Sequence, residues 1–200
     1  MIQAVIWMDF TLEELTRDNY MLACCIDRED VPVEFLDPIS KLMEYTEYGA
    51  AHGCLGHSFV VMADGRAVGA LLLGEAIPWE TDPPAVKREP HYRLMDFVMD
   101  RAYRGLGLGG AVLEAAIARV CQDFGPRPIV LCCQEDNRRA AAFYERHGFH
   151  RTEYRDDDDF YYLRPLPDVL GEAERRDARR EAPAPKGGEA DADPSHPARL

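Results

Sequence analysis

Asp100-Arg-Ala-Tyr-Arg-Gly-Leu-Gly-Leu-Gly-Gly-Ala111 is the stretch on which the reading of this chain turns. It follows a β-rich run, Tyr92–Met99, and opens a helical one, Leu108–Phe124, whose Leu113, Ala116, Ile117, Val120 and Phe124 share one face. Glycines at 105, 107, 109 and 110 let backbone approach a ligand closely. The N–H groups at the start of the following helix are unpaired and carry partial positive charge. With Arg104 beside the glycines, the segment reads as an anion site, for a phosphate or pyrophosphate, rather than as a merely flexible turn.

Working outward, Ile2–Trp7 reads as a strand and Leu12–Cys25 as a helix, with Thr11 as N-cap and Glu13 and Glu14 in its first turn. Asp37-Pro38 opens a second helix to about Tyr48. Ser58–Met62 and Ala67–Leu73 form a hairpin around Asp64-Gly65. Beyond the central segment come a short apolar strand (Ile129–Cys133), a helix (Arg138–His147) closed by Gly148, and a last hairpin of Phe149–Tyr154 with Phe160–Arg164. The order is βααβββαβαββ: one α/β domain over 1–165, without internal repeats. The charged and proline-rich tail, 166–200, has too little apolar surface to offset its ordering entropy and is expected to be disordered.

The chain has 200 residues, 46% hydrophobic and 30% charged, the balance of a globular protein. Its net charge is −13, of which residues 1–165 keep −11, against the basic surface that a nucleic-acid binder needs. No apolar run is long enough to span a bilayer, and Met1–Phe10 lacks the pattern of a secretory leader. Cys24, Cys25, Cys54, Cys121, Cys132 and Cys133 make a poor disulfide framework, so a reducing, cytoplasmic setting is expected.

Two ligands compete for the glycine turn. Gly105-x-Gly107-x-x-Gly110 matches the dinucleotide fingerprint, with Glu135 after the next strand as a ribose acid. Against this, five residues separate strand from first glycine, and little chain remains for a second half-sheet. The other ligand is coenzyme A. Arg104-Gly-Leu-Gly-Leu-Gly109 resembles the Gln/Arg-x-x-Gly-x-Gly/Ala signature of the GCN5-related N-acetyltransferase (GNAT) superfamily. Asn137-Arg-Arg-Ala-Ala-Ala-Phe-Tyr144-Glu-Arg-His-Gly-Phe149 resembles a second block of that family, in register with the first. Asn137 and Tyr144 are seven residues apart, two helical turns, and so share a face.

The resemblance implies a mixed central β-sheet flanked by helices and direct transfer of an acetyl group from acetyl-CoA to an amine, with no metal. Tyr144 would be the general acid for the coenzyme A sulfur. Phe97, Val98 and Met99 would hold the pantetheine arm and polarise the carbonyl. Arg104, Gly105, Leu106, Gly107, Leu108, Gly109 and Gly110 would bind pyrophosphate, and Asn137 would meet the pantetheine. Asp96 is the first choice of general base, with Glu75, His91 or a water chain as alternatives.

In that superfamily the acceptor is set by segments matching Leu12–Tyr48 and Ile77–Pro90. Their acids (Glu34, Asp37, Glu80 and Asp82 among them) and aromatics (Phe35, Tyr45, Tyr48, Trp79) suit a cationic amine, small molecule or peptide. A second copy of the chain is a further expected partner; nucleic acid and membrane are not. The alternative function is a non-catalytic acyl-CoA-binding regulatory module. His52-Gly-Cys54-Leu-Gly-His57 and Asp156–Asp159 lack the spacing of zinc and calcium sites, and Cys132 and Cys133 read as structural.

Overall fold

The computed structural model describes residues 9–75 and 82–166. Strand β1 (Thr11–Glu14) is followed by a single helical turn α1 (Tyr20–Ala23), a 3-10 turn at Val33–Phe35 and helix α2 (Ile39–His52). Strands β2 (Gly56–Ala63) and β3 (Arg66–Glu75) lead through the short α3 (Pro84–Lys87) to β4 (Tyr92–Met99). Then come α4 (Leu108–Phe124), β5 (Ile129–Gln134), α5 (Arg138–Arg146), β6 (His150–Asp156) and β7 (Asp159–Arg164).

The described strands make one mixed sheet in the order β1-β2-β3-β4-β5-β7-β6. Only β4 and β5 run parallel; their connection carries α4 across the sheet. Val112, Leu113, Ala116 and Val120 of α4 pack on Phe59, Val61, Leu71, Leu73 and Leu94. On the opposite face Ala23, Ile39 and Leu42 cover Val60, Ala70 and Val98. Each face therefore buries one set of alternating strand residues, as the two-residue period of a strand requires.

The helix read over Leu12–Cys25 is replaced by β1 and the single turn α1. Thr11 to Glu14 pair antiparallel with Met62 to Phe59, covering what would otherwise be an unpaired apolar edge of β2. Asn19 then bends the chain: its Oδ1 accepts the Thr16 N–H at 2.8 Å and its Nδ2 donates to the Glu14 carbonyl at 2.8 Å. Tertiary pairing outweighs the small helix preference of two glutamates at a helix start. The strand read at Ile2–Trp7, the acceptor-side Trp79 and Glu80, and the tail 167–200 lie outside the described residues.

Two departures from regular sheet shape the centre. Ala70 faces Val98 while Leu72 faces Met95, so Asp96 and Phe97 together stand opposite Leu71 as a β-bulge. Asp96 adopts φ +50°, a left-handed conformation that aspartate tolerates better than most residues. Beside it β4 and β5 pair only through Tyr92–Ile129 and Arg93–Val130, then part. From Leu94 and Leu131 onward, the backbone groups that each strand turns toward the other are left without a ladder partner.

Candidate active site

The parting strands open a cavity of about 1150 Å³. Its walls are β4 from Arg93 to Met99, β5 from Leu131 to Gln134, the glycine turn before α4 and the inner face of α5. Residues Asp30 to Asp37 line it as a strap. That strap is tied to β5 and to the glycine turn. Gln134 Nε2 donates to the Glu34 carbonyl at 2.8 Å, and Arg104 Nη1 reaches both oxygens of Asp30 at 2.8 and 2.7 Å.

Arg104 lines the cavity with its side chain held by neighbours. Its Nε also donates to the Met99 carbonyl at 2.6 Å, and its own N–H points to Arg101 O, so it pins the strap rather than facing an anion. Leu106 projects into solvent and Leu108, the first residue of α4, is buried, which leaves their backbone as the part that bears on the turn. Gly105 and Gly107 have φ +78° and +83°, and a Cβ at either would meet nothing within 4 Å. Open space above two left-handed residues at the head of a 17-residue helix is a cradle for an anion. Gly110 is constrained differently, since a Cβ there would lie 2.6 Å from His147 Cε1.

Asn137 caps α5, its Oδ1 accepting the Ala140 N–H at 3.2 Å, while it also lines the cavity. The cap uses the oxygen and leaves the Nδ2 donors for a ligand. Tyr144, two turns on, lines the same cavity, edge-on to Phe143 and Phe149. Burial, with Cys133 and Asp96 nearby, pushes its phenol well above the ordinary range, so it remains a proton donor at neutral pH.

Of the residues considered for the base, Asp96 lines the cavity whereas Glu75 and His91 do not. Glu75 is committed elsewhere, accepting the Leu55 N–H at 2.9 Å and pairing with Arg127 at 2.7 Å, which lowers its pKa. Asp96 is the opposite case. Its Oδ2 is buried without a hydrogen-bond partner. Burial, then repulsion from Asp37, raises the carboxyl from 3.8 to about 6, against a hydrogen bond from the Asp37 backbone and the charge of Arg28. Tyr45 beside them is raised by burial and by Asp37.

Cys132 and Cys133 line the cavity as well, but burial pushes their thiols up to about 12 and about 11. Neither supplies a thiolate at neutral pH. All six cysteines are free thiols. His52 and His57 do not converge: His52 stacks on Tyr48 at 3.8 Å, and His57 stands between Glu14 (2.6 Å) and Asp123 (2.9 Å).

Sequence reasoning missed Arg138, Arg139 and Arg146, which line the cavity from α5. The signal was present as an Arg-Arg pair and a third arginine inside an otherwise acidic domain.

A split parallel pair, a bulge at the split and a glycine turn heading the crossover helix meet at one cavity. The sequence matches the Acetyltransferase (GNAT) family over residues 15–149, and the chain belongs to that family of acyltransferase enzymes. No curated protein matches it in sequence.

Solved structures share the fold. An aminoglycoside acetyltransferase, AAC(6')-Ib, in complex with coenzyme A superposes with a TM-score of 0.60 at 20% identity, over 84% of this chain and 98% of its own. An acetyltransferase from Thermus thermophilus gives 0.58 at 17% identity, over 80% and 98%. Ard1 from Thermoplasma volcanium gives 0.56 at 16%, over 80% and 99%. Among the described residues no helix is long and apolar enough to cross a membrane.

Proposed function

We propose that this chain is an N-acetyltransferase that moves an acetyl group from acetyl-CoA to a cationic amine, small molecule or peptide, by direct attack. The observation that carries the reading is the pair of oppositely suited groups in one cavity: a buried carboxyl at about 6 and a phenol held protonated. Bound acetyl-CoA would supply a thioester carbon open to an amine and a thiol leaving group.

Asp96 Oδ2, lacking any partner, is free to accept a proton from the attacking amine. Phe97, Val98 and Met99 follow it where β4 has left β5, so backbone groups there are available to hold the pantetheine arm and its carbonyl. Tyr144 would return a proton to the departing sulfur. Gly105 to Gly110 would receive the pyrophosphate on backbone N–H groups, and Asn137 Nδ2 would meet a pantetheine carbonyl. With both cavity thiols protonated, an acyl-cysteine route has no nucleophile, which favours direct transfer. Asp37, Tyr45 and the strap acid Glu34 lie on the acceptor side of Asp96 in this reading and suit an ammonium group.

Titration calorimetry with acetyl-CoA, followed by thiol release over a panel of amines, tests it. Tight binding with amine-dependent thiol release is expected. Binding without release from any amine would convert the reading to a regulatory acyl-CoA module, and absence of binding would end it.

A further inference from the structure

A second, smaller cavity of about 210 Å³ lies between α2 and the sheet. Tyr45 and Met95 border both cavities, and Asp96 follows Met95 directly in β4. The bulge sends its two residues to different neighbours. Phe97 leans on Phe143 of α5, with 5.7 Å between ring centroids, while Asp96 has Asp37 and Tyr45 about it. An amine that gives its proton to Asp96 therefore has α5 on one side and the wall of Tyr45 and Met95 on the other.

The floor of the second cavity is one cross-strand row. Met95 stands opposite Leu72, and Leu72 opposite Ser58, so the row spans two strand spacings, about 10 Å. The roof is one face of α2, where Gly49 and Ala50 come one turn after Tyr45 and Thr46. Small residues at this turn keep the helix from closing on the row: a Cβ on Gly49 would meet only Cys54 Cβ, at 3.7 Å. The polar groups of this cavity are already engaged. Thr46 Oγ1 lies 2.7 Å from both the Leu42 carbonyl and Ser58 Oγ. Glu75 holds the Leu55 N–H and Arg127, and Glu14 is paired with His57. Among the described residues no lysine or arginine lines it.

Aliphatic, thioether and already bonded hydroxyl surface, with its carboxylates paired, suits hydrocarbon better than a second ammonium group. The volume is that of about seven water-sized groups, the bulk of a short alkyl chain. Met95, unbranched and with three rotatable bonds, is a wall that can give way. We propose that this cavity is an acceptor pocket, and that the acceptor is a primary amine on an unbranched, uncharged aliphatic chain. The chain lies past Tyr45 and Met95 on the row of Leu72 and Ser58. This rests on the acyl-transfer reading above and narrows its acceptor to amines whose only charge is the reacting group.

The test is thiol release from acetyl-CoA by the full chain with n-alkylamines from ethylamine to octylamine. kcat/KM for the amine is expected to rise about three-fold per methylene to hexylamine and to level off beyond it, as the cavity fills. Diaminohexane, with an ammonium group at its tail, is expected to be about ten-fold or more poorer than hexylamine. Gly49→Leu favours the helix and fills the cavity, and should bring hexylamine down to the ethylamine value, with acetyl-CoA affinity by calorimetry reporting that the variant is folded. A flat chain-length series, a diamine as good as hexylamine, or a Gly49→Leu variant that slows all amines alike would overturn the pocket and leave the acetyltransferase reading standing. Rates that climb with the acyl chain instead, hexanoyl-CoA over acetyl-CoA, would give the cavity to the donor and overturn the proposal equally. No thiol release with any amine would overturn both.

Discussion

Replacing Asp96 by Asn is expected to stabilise the protein at neutral pH while removing most of its activity. The carboxyl rises from 3.8 to about 6 because burial and Asp37 disfavour its charged form. That difference amounts to about 3 kcal/mol carried by the folded state once Asp96 is ionised. A raised acid loses stability as pH climbs: the folded protein holds the proton between 3.8 and about 6 while the unfolded chain has released it. The burden is small near the unfolded value and complete above about 6. Asparagine never ionises, yet its amide nitrogen meets the place where Asp96 Oδ2 has no partner, at a cost of about 1–2 kcal/mol that does not vary with pH. Comparing two pH values cancels that cost. Urea unfolding of both proteins should show the variant's stability relative to wild type improving by about 2 kcal/mol between about pH 4.5 and about pH 7.5. The charged and titratable groups around Asp96 are Asp37, Arg28, Tyr45 and Tyr144, and the substitution leaves all four in place. Wild-type kcat/KM should rise with pH through about 6 as the base ionises, and the variant should lose about 10²–10⁴-fold together with that limb. A stability difference that is flat with pH would refute the burial argument. A variant retaining wild-type turnover would refute the base.

Tyr144→Phe keeps the edge-on packing against Phe149 and removes only the hydroxyl, so kcat should fall about 10²-fold or more with coenzyme A affinity unchanged by calorimetry. Equal loss of both would remove the acid role. Gly56→Ala should destabilise by about 3 kcal/mol in urea unfolding, because its Cβ would sit 2.2 Å from the Gly74 Cα and 2.7 Å from the Leu73 carbonyl, backbone that cannot step aside. A wild-type midpoint would show that β2 and β3 can separate there. Asp82→Ala removes the 2.6 Å ion pair to Arg93, 2% exposed, and the 3.1 Å hydrogen bond from Tyr161, and should destabilise the fold measurably in urea unfolding. The double change Asp82→Leu/Arg93→Met should recover much of the loss, and failure to do so would mean that the pair also serves packing.

Legibility in the sequence tracked the range of the interaction. Helix α4 runs from Leu108 to Phe124 as its periodicity predicts, since its glycine start, apolar stripe and Gly125 stop are all local. Helix α5 is set the same way by the Asn137 cap, and both hairpins follow from their turn residues. What the sequence does not show is decided by distant chain. β1 is a strand only because β2 offers it an edge, and Arg104 turns from the glycine loop only because Asp30, 74 residues earlier, lies within reach. The bulge has no signature either: Asp96-Phe97 in a β-rich run looks like any strand dipeptide until its register against β3 is known.

That bulge concentrates two costs on one residue. Left-handed backbone at a non-glycine position costs about 1–2 kcal/mol, and the ionised buried carboxyl adds about 3 kcal/mol at neutral pH. Elsewhere in the domain buried charge is compensated, as with Arg93 on Asp82, and left-handed residues such as Asp64 and Asp157 lie in exposed turns where no burial is added. Relief at Asp96 would be simple. A glycine would remove both the strain and the carboxyl without filling the cavity. What glycine could not do is hold an unpartnered oxygen beside the point where β4 leaves β5. An arrangement that is locally unfavourable on two counts, and chemically apt for taking a proton from an amine, is where strain and function are expected to coincide.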